Sequence, residues 1–145
     1  MKVNQNSGLT VVGTGSYTVP TGKTARILAS ISASAYTTST SGTHNGPGTL
    51  LAKGGEDSSI IELFLKSGDV ITTSLVNASG SISVSSTYGW IENSSSSIAS
   101  LLVNGVIIAT VRAVVTASIF AQGTTLFPSI TFSGATSFGY ISNEY

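Results

Sequence analysis

The longest apolar run of the chain, residues 98–121, separates into two faces along its second half. Every second position there is apolar, and these positions are Ile107, Ala109, Val111, Ala113, Val115, Ala117 and Ile119. The positions between them include Thr110, Arg112, Thr116 and Ser118. A period of two is typical of a β-strand, and β-branched residues are common in strands. The pattern therefore predicts a strand with one buried face.

The same run is long enough for a transmembrane helix, which needs ~20 apolar residues. Arg112 argues against a helix, because a charge near the middle of the span would cost at least ~2.5–3.5 kcal/mol. Asn104-Gly105 is a two-residue hairpin signal with apolar residues on both sides. We therefore expect two antiparallel strands joined at Asn104-Gly105, and no membrane span.

Similar alternation recurs along most of the chain and is clearest in residues 24–36 and 81–92. Glycine, proline, asparagine and aspartate between the alternating segments are typical turn residues. The segments predicted as strands, apart from the central hairpin, are 17–19, 24–36, 50–52, 59–66, 70–76, 81–92, 126–133 and 137–141. Residues 93–97 are expected to form a polar linker, and residues 37–49 an exposed loop.

No segment favours a helical period over a strand. About eight short strands at close spacing are typical of an all-β protein, and we expect an antiparallel, jelly-roll-like β-sandwich. A chain of 145 residues is normally one domain. We therefore expect residues 17–145 to form a single β-sandwich domain and residues 1–16 to form an N-terminal arm or edge strand.

Charged residues make up only 8% of the chain, against ~25% in ordinary soluble domains. Six basic and six acidic side chains leave no net charge. Without a basic patch the chain is not expected to bind nucleic acid, since phosphate contacts need Lys and Arg, and without a polybasic segment it is not expected to bind an anionic membrane. A neutral chain with few charges tends to associate. We therefore expect much of its surface to be covered in an assembly.

Few residues are candidates for hydrolytic chemistry. His44 is the only histidine, and a Ser-His-Asp triad would have to use it with Asp57 or Asp69. It lies among polar loop residues without a nucleophile-elbow pattern, so a solvated loop histidine is the simpler interpretation. Glu62 and Glu92 lie on predicted strands and are the candidate paired carboxylates of a glycosidase, but each is expected to face solvent.

Metal and cofactor signals are equally weak. One histidine and no cysteine leave little from which to build a zinc site. Glu56-Asp57 could join a calcium site, although two adjacent acids in a turn usually serve only to solvate it. Gly13-Thr-Gly15 lacks the third glycine and the following helix of a dinucleotide site. We therefore expect no catalytic residue, no cofactor and no metal.

Two similar aromatic pairs stand out among the serine-rich strands. They are Tyr88 with Trp90, and Phe138 with Tyr140. Aromatic residues at alternate strand positions usually pack in a core or a protein interface, and a sugar-stacking platform is the other interpretation. We therefore treat these four residues as a candidate aromatic interface surface.

Residues 17–27 read YTVPTGKTARI, and residues 64–71 read FLKSGDVI. The first stretch resembles the opening strand of small β-sandwich modules in the virion proteins of tailed phages. Residues 64–71 (FLKSGDVI), followed by 80–84 (GSISV), resemble the strands that close them. The Val103-Asn104-Gly105 hairpin is also similar, but in those modules it usually precedes the Gly-Asp turn and here it follows it. The shared motifs are structural and carry no functional residues.

The resemblance implies a structural protein of a phage virion. The expected role is that of a capsid decoration or cement protein, which binds and stabilises the assembled shell, commonly as a homotrimer at a symmetry axis. The expected partners are the major capsid protein or other virion proteins, and the expected location is the virion, assembled in the host cytoplasm. The alternative is a tail-fibre or baseplate adhesin module that binds a host receptor or glycan.

Overall fold

A computed structural model describes residues 10–41, 48–83, 88–122 and 129–145 of the chain. Within these ranges the backbone forms ten strands, and the all-β prediction is confirmed. The strands are β1 (Thr10–Gly13), β2 (Tyr17–Thr18), β3 (Thr24–Ser41), β4 (Gly48–Lys53), β5 (Gly55–Lys66), β6 (Val70–Val76), β7 (Ser79–Ser83), β8 (Tyr88–Val103), β9 (Val106–Gln122) and β10 (Ser129–Glu144). No helix in the described part of the chain is long and apolar enough to cross a membrane.

The strands form two antiparallel sheets, and the predicted β-sandwich is confirmed. The first sheet has the order β1-β10-β3-β5, with β7 also paired to β10, and the second has the order β2-β6-β8-β9-β4. β10 and β3 pair from Ser129↔Ser41 to Glu144↔Ala25. Of the N-terminal residues, 10–13 lie along the edge of β10.

The chain changes sheet at almost every connection. Odd-numbered strands β1, β3, β5 and β7 belong to the first sheet, and β2, β4, β6 and β8 to the second. The exception is the β8–β9 hairpin, whose two strands are neighbours in the second sheet. Strands adjacent in sequence therefore mostly face each other across the core, and strands far apart in sequence become neighbours within a sheet.

The hairpin predicted at Asn104-Gly105 is confirmed. Asn104 has a φ of 50° and Gly105 a φ of 80°. Two consecutive positive φ values match the tight turn that follows the right-handed twist of paired strands, and Asn-Gly is the pair that adopts it most readily. The longest apolar run of the sequence thus becomes the end of β8 and most of β9.

A β-bulge next to this turn changes the faces of the first residues of β9. Leu101 lies opposite Ala109, but Leu102 lies opposite Ile107, so the register shifts by one residue. Extra residues of this kind reverse the side to which the following side chains point. Ile107 is consequently 59% exposed, and its predicted place on the buried face is wrong. The predicted burial holds from Val111 onward.

Two predicted breaks in the strands are also wrong. Residues 93–97, expected as a polar linker, lie inside β8 and pair with residues 113–117 of β9. Residues 134–136, expected between two strands, lie inside β10 and pair with β3. Of the loop expected at 37–49, residues 37–41 lie in β3 and residues 48–49 in β4, while 42–47 lie outside the described residues. Serine and glycine in these places suggested loops, whereas pairing with long partner strands keeps the backbone extended.

The core between the sheets is unusually rich in alanine. The alternation predicted for β3 is confirmed, and its buried side chains are Ala25, Ile27, Ala29, Ile31, Ala33 and Ala35. The buried side chains of β9 are Val111, Ala113, Val115, Ala117 and Ile119. Small side chains let the two sheets approach closely, and β10 fills the remaining space with Ile130, Phe132, Phe138 and Tyr140.

One buried serine joins the two sheets by hydrogen bonds. Ser97 on β8 is fully buried, and its Oγ donates to the carbonyl oxygen of Ser34 on β3 at 2.6 Å. The same Oγ accepts from the backbone N–H of Ala78 at 2.9 Å. Gly134 of β10 lies against this group, where a Cβ would come within 2.8 Å of Ser34 O. A buried hydroxyl satisfied on both sides costs little and fixes the spacing of the layers.

Candidate functional site

The two predicted aromatic pairs do not form one surface. Phe138 and Tyr140 point into the core and are only 6% and 8% exposed. Their ring centroids lie 5.6 Å apart, and Tyr17 of β2 packs on Tyr140 with a centroid distance of 5.4 Å. The alternation of β10 places these rings on the side that faces the second sheet. Phe138 and Tyr140 are therefore core residues and not part of an exposed surface.

Tyr17 also makes the main polar contact of this cluster. Its hydroxyl donates to a carboxylate oxygen of Glu144, near the end of β10. Burial raises the pKa of the Tyr17 hydroxyl, and the hydrogen bond to Glu144 raises it further. The contact links β2, in the second sheet, to β10, in the first. The hydrogen bond between Tyr17 and Glu144 therefore has a structural role, because it connects the two sheets.

Trp90, by contrast, lies on the outer face of the second sheet and is 60% exposed. Phe120 of β9 stands directly opposite, with ring centroids 6.2 Å apart and ring planes inclined by 50°. Leu51 of β4 lies opposite Ser118 and is also exposed. We call Trp90, Phe120 and Leu51 the Trp90 patch. The side chain of the fourth predicted residue, Tyr88, lies outside what the structure describes.

Phe120 was not among the residues predicted for an exposed surface. A hairpin centred on Asn104-Gly105 without a bulge would place Trp90 opposite Ile119, which faces the core. The bulge beside the turn moves the register, so that Phe120 becomes the partner of Trp90. Ile119 and Phe120 are both apolar, so the local sequence pattern does not say which of the two lies opposite Trp90.

A second exposed apolar surface lies on the outer face of the first sheet. Val12 of β1, Ile141 of β10 and Leu28 of β3 form one row across three strands. Ile60 and Phe64 of β5 continue it at the far edge of the sheet. We call these five residues the first-sheet patch. It was not predicted, because its members are far apart in sequence and only the strand order brings them together.

One ion pair crosses the first-sheet patch. The guanidinium of Arg26 donates to Glu62 Oε2 from Nε at 2.9 Å and from a terminal nitrogen at 2.5 Å. The two side chains are 38% and 42% exposed. An ion pair this exposed contributes only ~0–1 kcal/mol to stability. Its importance lies in the charge pattern that it gives to this face.

The candidate hydrolytic residues are not brought together. Glu62 lies on the outer face of the first sheet and is paired to Arg26, while Glu92 lies on the second sheet, opposite Ser118. They occupy opposite sides of the sandwich, so they do not form the two-carboxylate arrangement of a glycosidase. His44 lies outside the described residues.

A polar groove of about 560 Å³ lies beside the first-sheet patch. Its walls include the serines of β3 and the acidic pair Glu56 and Asp57. Asp57 Oδ2 accepts a hydrogen bond of 3.3 Å from the backbone N–H of Arg112. Among residues 10–41, 48–83, 88–122 and 129–145, no group of three His, Cys, Asp or Glu side chains is arranged to hold a metal. The calcium site considered for Glu56-Asp57, which would use loop carbonyls as well, therefore gains no third His, Cys, Asp or Glu side chain from this part of the chain.

Asp69 and Asn104 join the turn after β5 to the tip of the β8–β9 hairpin. Asn104 Nδ2 donates to Asp69 Oδ1 at 3.0 Å, and Lys66 N donates to Asp69 Oδ2 at 3.0 Å. Asn104 Oδ1 accepts from Val70 N at 2.9 Å. The two bonds to Asp69 favour the charged form of its carboxyl group. They therefore hold the pKa of that carboxyl below its ordinary value, and the bond from Asn104 contributes most.

Acid is expected to weaken this contact, and Asp69→Asn is expected to remove that pH dependence. The folded-state pKa is below the unfolded one, so the stabilisation is present above about pH 4 and lost as pH falls through the folded pKa. Thermal unfolding from pH 7 to pH 2 should show the wild type and Asp69→Asn converging. Asn104→Gly keeps the left-handed backbone and removes the largest contribution to the lowered pKa, so it should reduce the pH dependence, while the bond from Lys66 N preserves part of it. A difference in melting temperature between the wild type and Asp69→Asn that stays constant from pH 7 to pH 2 would contradict the assignment of the pH dependence to Asp69.

The fold and the two exposed patches are the features of this chain that bear on its function. No protein-family model, no curated protein and no solved structure matches this chain.

Proposed function

We propose that the chain is a structural protein of a tailed-phage virion, and that it decorates the assembled capsid and stabilises the shell. The observation that carries the proposal is the exposure of large apolar side chains on the outer face of the second sheet. Trp90 and Leu51 are each 60% exposed, and Phe120 is 37% exposed. Apolar surfaces of this kind mark contacts with other proteins. The resemblance of residues 17–27 and 64–71 to phage virion modules supplies the class of partner.

The rest of the molecule agrees with a mechanical role. The chain has few charges and no net charge, and Glu62 and Glu92, the candidate paired carboxylates, lie on opposite sides of the sandwich. A decoration protein needs no carboxylate pair. It holds adjacent shell subunits by complementary apolar contact, and the contact strengthens the shell because it must be broken before the subunits separate.

Within this proposal the Trp90 patch contacts the major capsid protein or another virion protein. Tryptophan at the centre of an interface carries much of the binding energy, since its ring removes a large apolar area from water. Phe120 and Leu51 extend this area across three neighbouring strands. These rigid strands hold the ring in place, which lowers the entropy cost of binding.

Trp90→Ser is expected to weaken binding to empty capsids by about tenfold or more, because truncation of a central aromatic usually costs at least ~1.4 kcal/mol. The measurement is co-sedimentation of the purified chain with capsids of the phage that encodes it. Wild-type chain should also raise the melting temperature of those capsids.

The matched control is Val106→Ser, which removes an equally exposed apolar side chain at the hairpin tip. Both variants should unfold at the wild-type temperature, since neither side chain is buried. The decoration role is contradicted if wild-type chain does not co-sediment with capsids. The assignment of the Trp90 patch is contradicted if Trp90→Ser binds as well as Val106→Ser.

The adhesin module remains the second candidate, because an exposed tryptophan ring is also a surface on which a sugar stacks. The 50° inclination of Phe120 against Trp90 favours a protein partner, since the two rings do not form a flat platform. If the wild-type chain binds host cells and not capsids, and Trp90→Ser abolishes that binding, the adhesin role replaces the decoration role. The homotrimer implied by the resemblance is a separate proposal, tested by the native mass of the chain.

A further inference from the structure

The first-sheet patch contains the most exposed large apolar side chains in the described part of the chain. Ile60 is 78% exposed, Phe64 74% and Val12 73%. Ile141 lies beside Val12, and Leu28 lies between Ile141 and Glu62. The patch therefore runs across the full width of the first sheet, from β1 at one edge to β5 at the other. A surface of this kind is not left open to water without a reason.

We propose that a second copy of this chain covers the first-sheet patch, with the two first sheets packed face to face about a two-fold axis. In such a contact the same surface serves both copies. The pair is formed by the purified chain alone, so this inference does not depend on the proposed role in a capsid. The face-to-face pair is an alternative to the homotrimer that the resemblance implies, and the native mass of the chain distinguishes the two.

The size of the face fits a stable pair. β10 has 16 residues, β3 has 18 and β5 has 12. With strands ~4.8 Å apart and a rise of ~3.3 Å per residue, three such strands present roughly 14 Å by 40–50 Å. That is about 600–700 Å² in projection, and side chains add to the accessible area. A standard interface buries about 800 Å² on each partner.

The shape of the face also allows two sheets to approach. Beside the apolar side chains, the residues that face outward at the centre are small, with Ser30 opposite Gly139 and Ser32 opposite Ser137. Ser32 and Ser137 are hydrogen-bonded to each other through their hydroxyls, so they need no partner from outside. Small, internally satisfied side chains leave room for the larger apolar side chains of the second copy.

The charges on the face favour a copy of the same chain over a charged partner. The patch holds one cation, Arg26, and one anion, Glu62, which lie side by side as an ion pair. Lys66 lies beyond them at one end of β5, and Glu56 lies on the same face near the other end. A two-fold axis through the patch brings the ion pair of one copy towards that of the other, so each charge can face its opposite. A nucleic acid or an anionic membrane would meet the acidic side chain of Glu62 between Ile60 and Phe64.

Phe64→Ser is expected to weaken self-association by about tenfold or more, because the ring is a large apolar side chain that is 74% exposed in the free chain and would be covered in the contact. Ile60→Ser should act in the same direction. The measurement is sedimentation equilibrium of the purified chain over a concentration series, and wild type should sediment as a dimer. The control is Trp90→Ser, which removes an exposed aromatic from the other sheet and should leave the dimer intact. Circular dichroism confirms that each variant folds.

A charge exchange identifies the partner as a second copy. Arg26→Glu gives each copy two acids in the patch, and Glu62→Arg gives each copy two cations, so each variant should be monomeric by itself. An equimolar mixture of the two should form a heterodimer, since the opposite charges then meet. A monomeric wild type at the highest soluble concentration would overturn the proposal. So would a dimer or trimer that Phe64→Ser, Arg26→Glu and Glu62→Arg all leave intact.

Discussion

Gly134→Ala is expected to lower the free energy of unfolding by about 3 kcal/mol or more, which is the upper range for overpacking a core. A Cβ at residue 134 would lie 2.7 Å from the backbone nitrogen of Ala78 and 2.8 Å from the carbonyl oxygen of Ser34, and it would overlap Ser97 Oγ. Two of these three neighbours are backbone atoms of paired or buried segments. They cannot move aside as the end of a flexible side chain can.

The loss would also extend to hydrogen bonds. Ser97 Oγ is hydrogen-bonded to Ser34 O and to Ala78 N. The new methyl group at residue 134 would lie among these three atoms and separate them. A buried N–H left without a partner costs about 1–3 kcal/mol. Overpacking and the lost hydrogen bonds act on the same atoms, so their costs are not simply additive.

Urea unfolding, followed by circular dichroism, measures this effect. The matched control is Gly139→Ala on the same strand, where the nearest atom to a new Cβ is Gly13 O at 4.0 Å. The two substitutions change strand propensity alike, so their difference isolates the contact at Ser97. Ser97→Ala in the Gly134→Ala background should recover only part of the loss, because the two backbone contacts persist. Equal stability of the two glycine variants would refute this account of the contact.

Leu101→Ala is expected to cost about 2–5 kcal/mol, the usual range for a buried leucine replaced by alanine. Leu101 is fully buried in β8, in the middle of the second sheet, and it lies opposite Ala109 at the bulge. β3 packs on β8 across the core, and four of its six buried side chains are alanines, which are too short to extend into the space that the substitution leaves. The cavity is therefore expected to persist, which places the cost in the upper half of the range.

Val106→Ala on the same hairpin is the control, since Val106 is 64% exposed. It should change the free energy of unfolding by no more than about 0.5 kcal/mol. Leu101→Ala should lower the urea midpoint with an unchanged slope, because the native fold and the surface exposed on unfolding stay the same. A cost below ~1 kcal/mol would mean that the sheets close around the missing side chain.

The strands of this protein could be predicted because they are specified locally. The alternation in β3 and in most of β9 follows from the two-residue period of an extended backbone. The Asn104-Gly105 turn could be predicted because few other dipeptides adopt two positive φ values. In both cases neighbouring residues contain all the information that the geometry needs.

The predictions failed where a distant partner changed the outcome. Residues 93–97 look like a linker, yet pairing with β9 keeps them extended, and hydrogen bonds to Ser34 and Ala78 satisfy Ser97 inside the core. Ile107 looks buried, yet the bulge turns it outward. The similar pairs Tyr88 with Trp90 and Phe138 with Tyr140 suggested one surface, but they lie in different sheets.

The sequence alone determined that the chain is an all-β sandwich and where its central hairpin turns, because periodicity and turn chemistry act over a few residues. Only the tertiary structure decided the order of the strands, since the chain changes sheet at nearly every connection and no local rule states which distant strands meet. That order places Phe138 and Tyr140 in the core and leaves Trp90 in solvent. It also assembles Val12, Leu28, Ile60, Phe64 and Ile141 into one patch. The candidate binding surfaces are thus products of long-range pairing.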